Sequence, residues 1–123
     1  MLLICCADCC FFHFPGVFKV ETIGDCYVAV TGLPDPQPDH AVRMTKFARE
    51  CLRKVTDLTH KLETSLGPDT GDLCMRFGLH SGPVTAGVLR GEKSRFQLFG
   101  DTVNTASRMV SLRIFVANYL FGI

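Results

Sequence analysis

The chain has 123 residues, 47% of them apolar and 20% charged, which suits one globular domain with a hydrophobic core. Its formal net charge is +1 and its lysines and arginines are scattered, which excludes the clustered basic face of a nucleic-acid-binding surface. Seven cysteines are an odd set, and Cys26, Cys51 and Cys74 sit singly inside apolar patterns, as reduced thiols do in a cytoplasmic setting.

The chain opens on an apolar segment over residues 2–14 that contains Cys5-Cys6-Ala7-Asp8-Cys9-Cys10, with His13 nearby. Cys6 and Cys9 have the spacing of half a zinc site, but no second pair stands at a matching distance, so the cluster reads as plain thiols. The segment is too short to span a bilayer, is broken by Asp8, and lacks the basic start of a secretory signal.

Val17, Phe18, Val20 and Ile23 then form a strand, Gly24-Asp25 a turn, and Tyr27, Val28, Val30 and Thr31 the returning strand of a hairpin. Leu33-Pro34-Asp35-Pro36-Gln37-Pro38 is a stiff loop in which the prolines forbid helix. Asp39 stands where a helix cap belongs, and Met44, Phe47, Ala48, Cys51, Leu52, Val55, Leu58 and Leu62 form one apolar stripe that Gly67-Pro68 ends. His40 and His60 fall off that stripe and are expected to be exposed, and Arg49, Arg53, Lys54 and Lys61, mixed with Glu50 and Asp57, make a solvated face. A polar turn over Asp69–Asp72 leads to a strand over Leu73–Leu79 and a second apolar run over Pro83–Leu89. After a turn at residues 91–94, a short strand over Phe96–Phe99 feeds a helix that begins near Thr102. The order β-β-α-β-β-β-α predicts an α+β fold, an antiparallel sheet with helices on one face.

Three stretches carry polar groups suited to chemistry. Asn104 and Arg108, four residues apart, share one face of the last helix, where an amide can fix a sugar and a guanidinium can grip a phosphate. The hairpin Lys19-Val20-Glu21-Thr22-Ile23-Gly24-Asp25 brings two carboxylates, and Arg76-Phe77-Gly78-Leu79-His80-Ser81-Gly82-Pro83-Val84 brings glycines that let backbones approach closely. Each stretch alone has a plainer account: a solvated helix face, a turn aspartate, an exposed strand charge.

Taken in this order, the hairpin, the glycine-bearing strand and the run Arg95-Phe96-Gln97-Leu98-Phe99-Gly100-Asp101-Thr102-Val103-Asn104-Thr105-Ala106-Ser107-Arg108-Met109 resemble the catalytic domain of class III nucleotidyl cyclases, on the guanylyl cyclase branch. The resemblance runs from about Val17 to Ser111. It implies a ferredoxin-like core and conversion of GTP to 3′,5′-cyclic GMP and pyrophosphate in intracellular signalling. By the same resemblance Asp25 is a metal ligand for Mg²⁺ or Mn²⁺, Asn104 orients the ribose, and Arg108 meets the transition-state phosphate. Glu21 reads the purine, since a carboxylate accepts from guanine N1–H and N2–H₂, and GTP is thereby preferred over ATP. Gln97 occupies the second purine position, which commonly holds Cys in guanylyl and Asp in adenylyl cyclases; its amide can donate to guanine O6 or accept from adenine N6.

The family site lies between two chains, one bringing metal aspartates and the other Asn and Arg, so the expected partner is a second cyclase chain in a homo- or heterodimer. Two departures stand out. The family's first metal aspartate, in a strand resembling F-x-D-[IV]-x-[GN]-F-[TS], has no counterpart here, and neither has the phosphate-binding lysine beyond the last motif. The expectation is a cyclase domain over residues 17–111 that lacks its first strand, flanked by segments foreign to the family at 1–16 and 112–123. Any membrane attachment would come through other domains of a parent protein. The alternatives are an adenylyl cyclase, a non-catalytic dimerisation partner lending Asn104 and Arg108, and a ferredoxin-like ligand-binding module that shares only the fold.

Overall fold

The structure, a computed structural model, describes residues 2–6, 14–24, 26–72, 75–90 and 94–111. The elements run β1 (Leu2–Cys6), β2 (Val17–Ile23), β3 (Cys26–Thr31), α1 (His40–Leu66), β4 (Arg76–His80), β5 (Thr85–Leu89), β6 (Arg95–Phe99) and α2 (Asp101–Ser111), with a 3₁₀ turn over Pro68–Asp72. None of the helices is long and apolar enough to cross a membrane among the described residues.

Strand β3 is the spine of the molecule. Tyr27 to Thr31 are all buried, which follows from a strand with a partner on each edge and a helix over each face. Successive side chains point to opposite faces. Tyr27 and Ala29 join Met44, Phe47, Ala48 and Cys51 of α1 in one core cluster, and Val28 and Val30 join Leu98, Ala106 and Val110 in the other. Helices α1 and α2 therefore cover opposite faces of the sheet. The α+β class and the antiparallel sheet hold, and the expected placement of the helices on one face is corrected. The alternation within Tyr27-Val28-Ala29-Val30, apolar at every position, carried that information.

The main sheet is antiparallel throughout, in the order β2-β3-β1-β4. The gap expected from a missing first strand is filled. Leu2–Cys6, in the segment read as foreign to the family, pairs with β3 from Leu2↔Val30 to Cys6↔Cys26 and with β4 from Leu2↔His80 to Cys6↔Arg76. An unbroken apolar run of five residues is the pattern of an interior strand. The second apolar run pairs not with β4 but with β6, in a separate hairpin from Thr85↔Phe99 to Leu89↔Arg95.

Helix α1 has the bounds that its stripe predicts, between Asp39 and Gly67. The Asp39 side chain makes no capping hydrogen bond and accepts instead from Arg43 Nε at 2.8 Å. His60 is exposed as expected, 3.5 Å from Glu63. His40 is not: it is half-buried, with its ring against the Gln37 carbonyl and the Ser81 hydroxyl.

Candidate functional site

Strand β2 does not pair evenly with β3. Lys19 faces Ala29 and Glu21 faces Val28, so Val20 is an extra residue, a β-bulge. The bulge breaks the alternation and leaves the adjacent residues Val20 and Glu21 both half-buried. Val20 packs against the core cluster under α2. Glu21 turns to β6, where Gln97 Nε2 donates to Glu21 Oε2 at 3.5 Å, a long bond between residues 76 positions apart. An ionised carboxylate only accepts, so the amide must present its NH₂ to Glu21 and turn Oε1 away. Across the β5–β6 ladder, Gln97 stands opposite Gly87, which carries no side chain to compete for the space.

Beside Glu21 is a cleft of about 280 Å³ lined by Val20, Glu21, Thr22, Arg95 and Phe96. Phe96 packs edge-on against Phe18, ring centroids 5.8 Å apart, which ties β6 to β2 and holds the cleft's aromatic wall. Arg95 escaped the sequence reading as a site residue; its one signal was its place at the head of the strand that carries Gln97.

Helix α2 carries the second pair. Ala106 and Val110 are buried and Val103 is half-buried, so this stripe faces the sheet while Asn104 and Arg108 stand exposed on the outer surface, one turn apart. Two glycines set how close the helix comes. A Cβ on Gly78 of β4 would overlap the Ala106 carbonyl oxygen and come within 2.7 Å of Val110 Cγ2; one on Gly82 would lie 2.5 Å from Thr102 Oγ1. At the helix start, buried Thr102 donates to the Pro83 carbonyl at 2.7 Å, and Val103 N–H donates to Gly100 O at 3.1 Å.

Of the expected site residues, then, Glu21 and Gln97 meet directly and Asn104 and Arg108 share a helix face. Asp25 lies outside the described residues. Among the described residues there is no group of three or more His, Cys, Asp or Glu side chains placed to hold a metal ion. The strand between β3 and β4 reads Leu-Leu-Ile-Cys-Cys, without a carboxylate. The shifted carboxyls lie elsewhere, on and just before α1. A hydrogen bond from Arg43 holds Asp39 below the usual carboxylate range, and one from Arg53 does the same for Glu50.

Residues 9–115 match the adenylate and guanylate cyclase catalytic domain, and the chain belongs to this family. It is 45% identical over 97 residues to soluble guanylate cyclase 89Da of Drosophila melanogaster, an alignment that covers 79% of this chain and 13% of that protein. Among solved structures it is similar to the guanylate cyclase domain of RhGC from Catenaria anguillulae in complex with GTP, at 48% identity and a TM-score of 0.62 over 78% of this chain and 49% of that one. A non-canonical dimeric guanylyl cyclase domain of the RhoGC fusion protein from Blastocladiella emersonii is 50% identical, with a TM-score of 0.59 over 78% of this chain and 49% of that one. The chain thus spans a small part of the curated relative's length.

Proposed function

We propose that this chain is the substrate-reading side of a guanylate cyclase site, which a second cyclase chain completes with metal-binding aspartates, and that the assembled site converts GTP to 3′,5′-cyclic GMP and pyrophosphate. The observation that carries the reading is the Gln97–Glu21 hydrogen bond. It brings together the two residues assigned to the base and sets their polarity. Glu21 is left to accept from guanine N1–H and N2–H₂, and Gln97 keeps a second N–H for O6. Adenine would turn its N1 lone pair toward the carboxylate, so GTP is the substrate and ATP is disfavoured. Asn104 orients the ribose and Arg108 meets the charge that develops on the α-phosphate, a division of labour in which positioning and electrostatics supply the rate. The GTP complex of one similar domain supports the substrate, and the non-canonical dimer of another supports pairing of two such domains.

Divalent metal enters this reading through the partner's carboxylates, with Asp25 serving the dimer's other site. The carboxylate-free β1 favours a second reading, in which the chain lends Glu21, Gln97, Asn104 and Arg108 to a partner and never completes a centre of its own.

Mixing tests what the two share, and the chain assayed alone tests the second. The chain is combined, with Mn²⁺, with a complete guanylyl cyclase chain whose own arginine at the position matching Arg108 is replaced by Ala. Cyclic GMP is expected from the mixture, with little from either chain alone. Arg108→Ala in the short chain is expected to lower the mixture's kcat by roughly 10²- to 10³-fold, as for removal of one transition-state donor. Glu21→Lys with Gln97→Asp is expected to move kcat/KM from GTP toward ATP. A mixed dimer that forms and makes no cyclic nucleotide would remove the catalytic roles; turnover by the short chain alone would remove the lending reading.

A further inference from the structure

We infer that His40 is a positioning residue for the start of α2: through Ser81 and the Gly82-Pro83 step it fixes where Asn104 and Arg108 stand. The inference rests on the reading of α2 as the helix that meets the substrate, and it assigns work to a side chain outside that site.

The ring of His40 has polar partners on both nitrogens. Nδ1 is 3.0 Å from the Gln37 carbonyl oxygen, and Nε2 is 2.9 Å from Ser81 Oγ. A carbonyl only accepts, so Nδ1 carries the hydrogen; in the neutral ring Nε2 then holds the lone pair and Ser81 donates to it. The tautomer follows from the partners. The residue is also held by its main chain: His40 N–H donates to Gln37 O at 3.1 Å, and its carbonyl accepts from Thr31 Oγ1 at 2.9 Å, where Thr31 is 1% exposed at the end of β3. His40 is thus anchored to the central strand and to the proline-rich loop at once.

Ser81 is the first residue after β4, and the next two meet α2. Gly82 has no room for a side chain beside Thr102, and the Pro83 carbonyl accepts from Thr102, which is 4% exposed. The segment 81–83 is therefore held between His40 on one side and the first turn of α2 on the other. Asn104 and Arg108 follow Thr102 on the same rigid helix. Without the His40–Ser81 bond, Ser81 is free to leave its place and the Pro83 carbonyl to shift with it. A small displacement of a catalytic helix costs rate before it costs binding.

The test has two arms. In the first, amide hydrogen exchange is measured on the full chain for His40→Ala, Ser81→Ala and the double variant. The Val103, Asn104 and Ser107 amides are expected to exchange about tenfold faster in each variant, no faster still in the double, and with no matching change in α1 from Val55 to Leu62. Unchanged exchange in α2, or an equal rise in both helices, overturns the inference, because the first denies the coupling and the second reduces it to general stability. In the second arm the variants replace the short chain in the mixed cyclase assay. kcat for GTP is expected to fall about tenfold with KM changed less than about twofold, and Ser81→Thr, which keeps the hydroxyl, is expected to restore most of it. A KM rise with kcat intact overturns the inference. If the unaltered mixture makes no cyclic GMP, the cyclase reading fails while the exchange arm still decides the positioning of α2.

Discussion

Two pairs of side chains define the candidate site, and they are assembled in opposite ways. Asn104 and Arg108 are neighbours by helix geometry alone, and any sequence that makes α2 places them together. Glu21 and Gln97 are 76 positions apart and meet only because a bulge in β2 turns one toward a strand of a different sheet that carries the other. The first pair is local in origin and depends on the tertiary fold only for where its helix sits. The second owes even its existence to the tertiary fold. Damage to the helix seat should therefore spare the Glu21–Gln97 contact, and damage to that contact should spare the helix.

The largest expected effect tests the seat. Gly78→Val would drive a branched side chain into the Ala106 carbonyl and Val110. It is expected to destabilise the fold by about 3 kcal/mol, the upper range for overpacking, read from the urea midpoint. In the folded fraction the α2 amides should lose protection while the side-chain NH₂ signals of Gln97 stay in place. Loss of both together would show that the two pairs are one cooperative unit.

A smaller effect tests the contact. Gln97→Leu removes the donor to Glu21 and is expected to cost about 1 kcal/mol, the usual net worth of one hydrogen bond. Backbone shifts of α2 from Thr102 to Arg108 should not change. Movement there would show that the purine pair and the helix are coupled through the cluster that Val20 and Leu98 share with Ala106 and Val110.

The smallest effect sharpens what a spacing of four residues is worth. Asp39 and Arg43 have the same separation as Asn104 and Arg108 but touch at 2.8 Å, with both side chains well exposed. The Arg43 hydrogen bond lowers the Asp39 pKa from its ordinary 3.8. The carboxyl binds its proton less readily folded than unfolded, so the pair's stabilisation is complete above the ordinary value and is lost as pH falls through the lower folded one. Following the Asp39 carboxyl carbon by NMR, Arg43→Ala should move the midpoint up toward 3.8, and added salt should act the same way. A midpoint indifferent to both would make the contact incidental.

What the sequence disclosed follows the same division. The bounds of α1 at Asp39 and Gly67 and the start of α2 were legible, because a stripe at helical spacing between a capping position and a glycine is a local pattern. The β2–β3 hairpin was legible for the same reason. The partner of β5 was not: an apolar run says that a strand exists, and its pairing is settled by where the rest of the chain leaves an edge. Leu2–Cys6 announces a strand by its unbroken apolar run, but its place between β3 and β4 is settled only by the edges that the rest of the sheet leaves open. His40 falls off the apolar stripe and nothing local announces that Ser81, 41 residues on, supplies the hydroxyl beside its ring.

The bulge at Val20 also bears on how this strand can change length. Val20 is the residue without a partner, so losing it would leave Lys19 opposite Ala29 and Glu21 opposite Val28, an even ladder in which neither flank changes partner or face. What would go is the local bend that aims Glu21 at Gln97. Most one-residue deletions in a strand are judged by what they do to stability. Here the loss of Val20 alone would bear on the Glu21–Gln97 contact first, and a second deletion, which slips the register from an even ladder, would carry a whole flank to the other face.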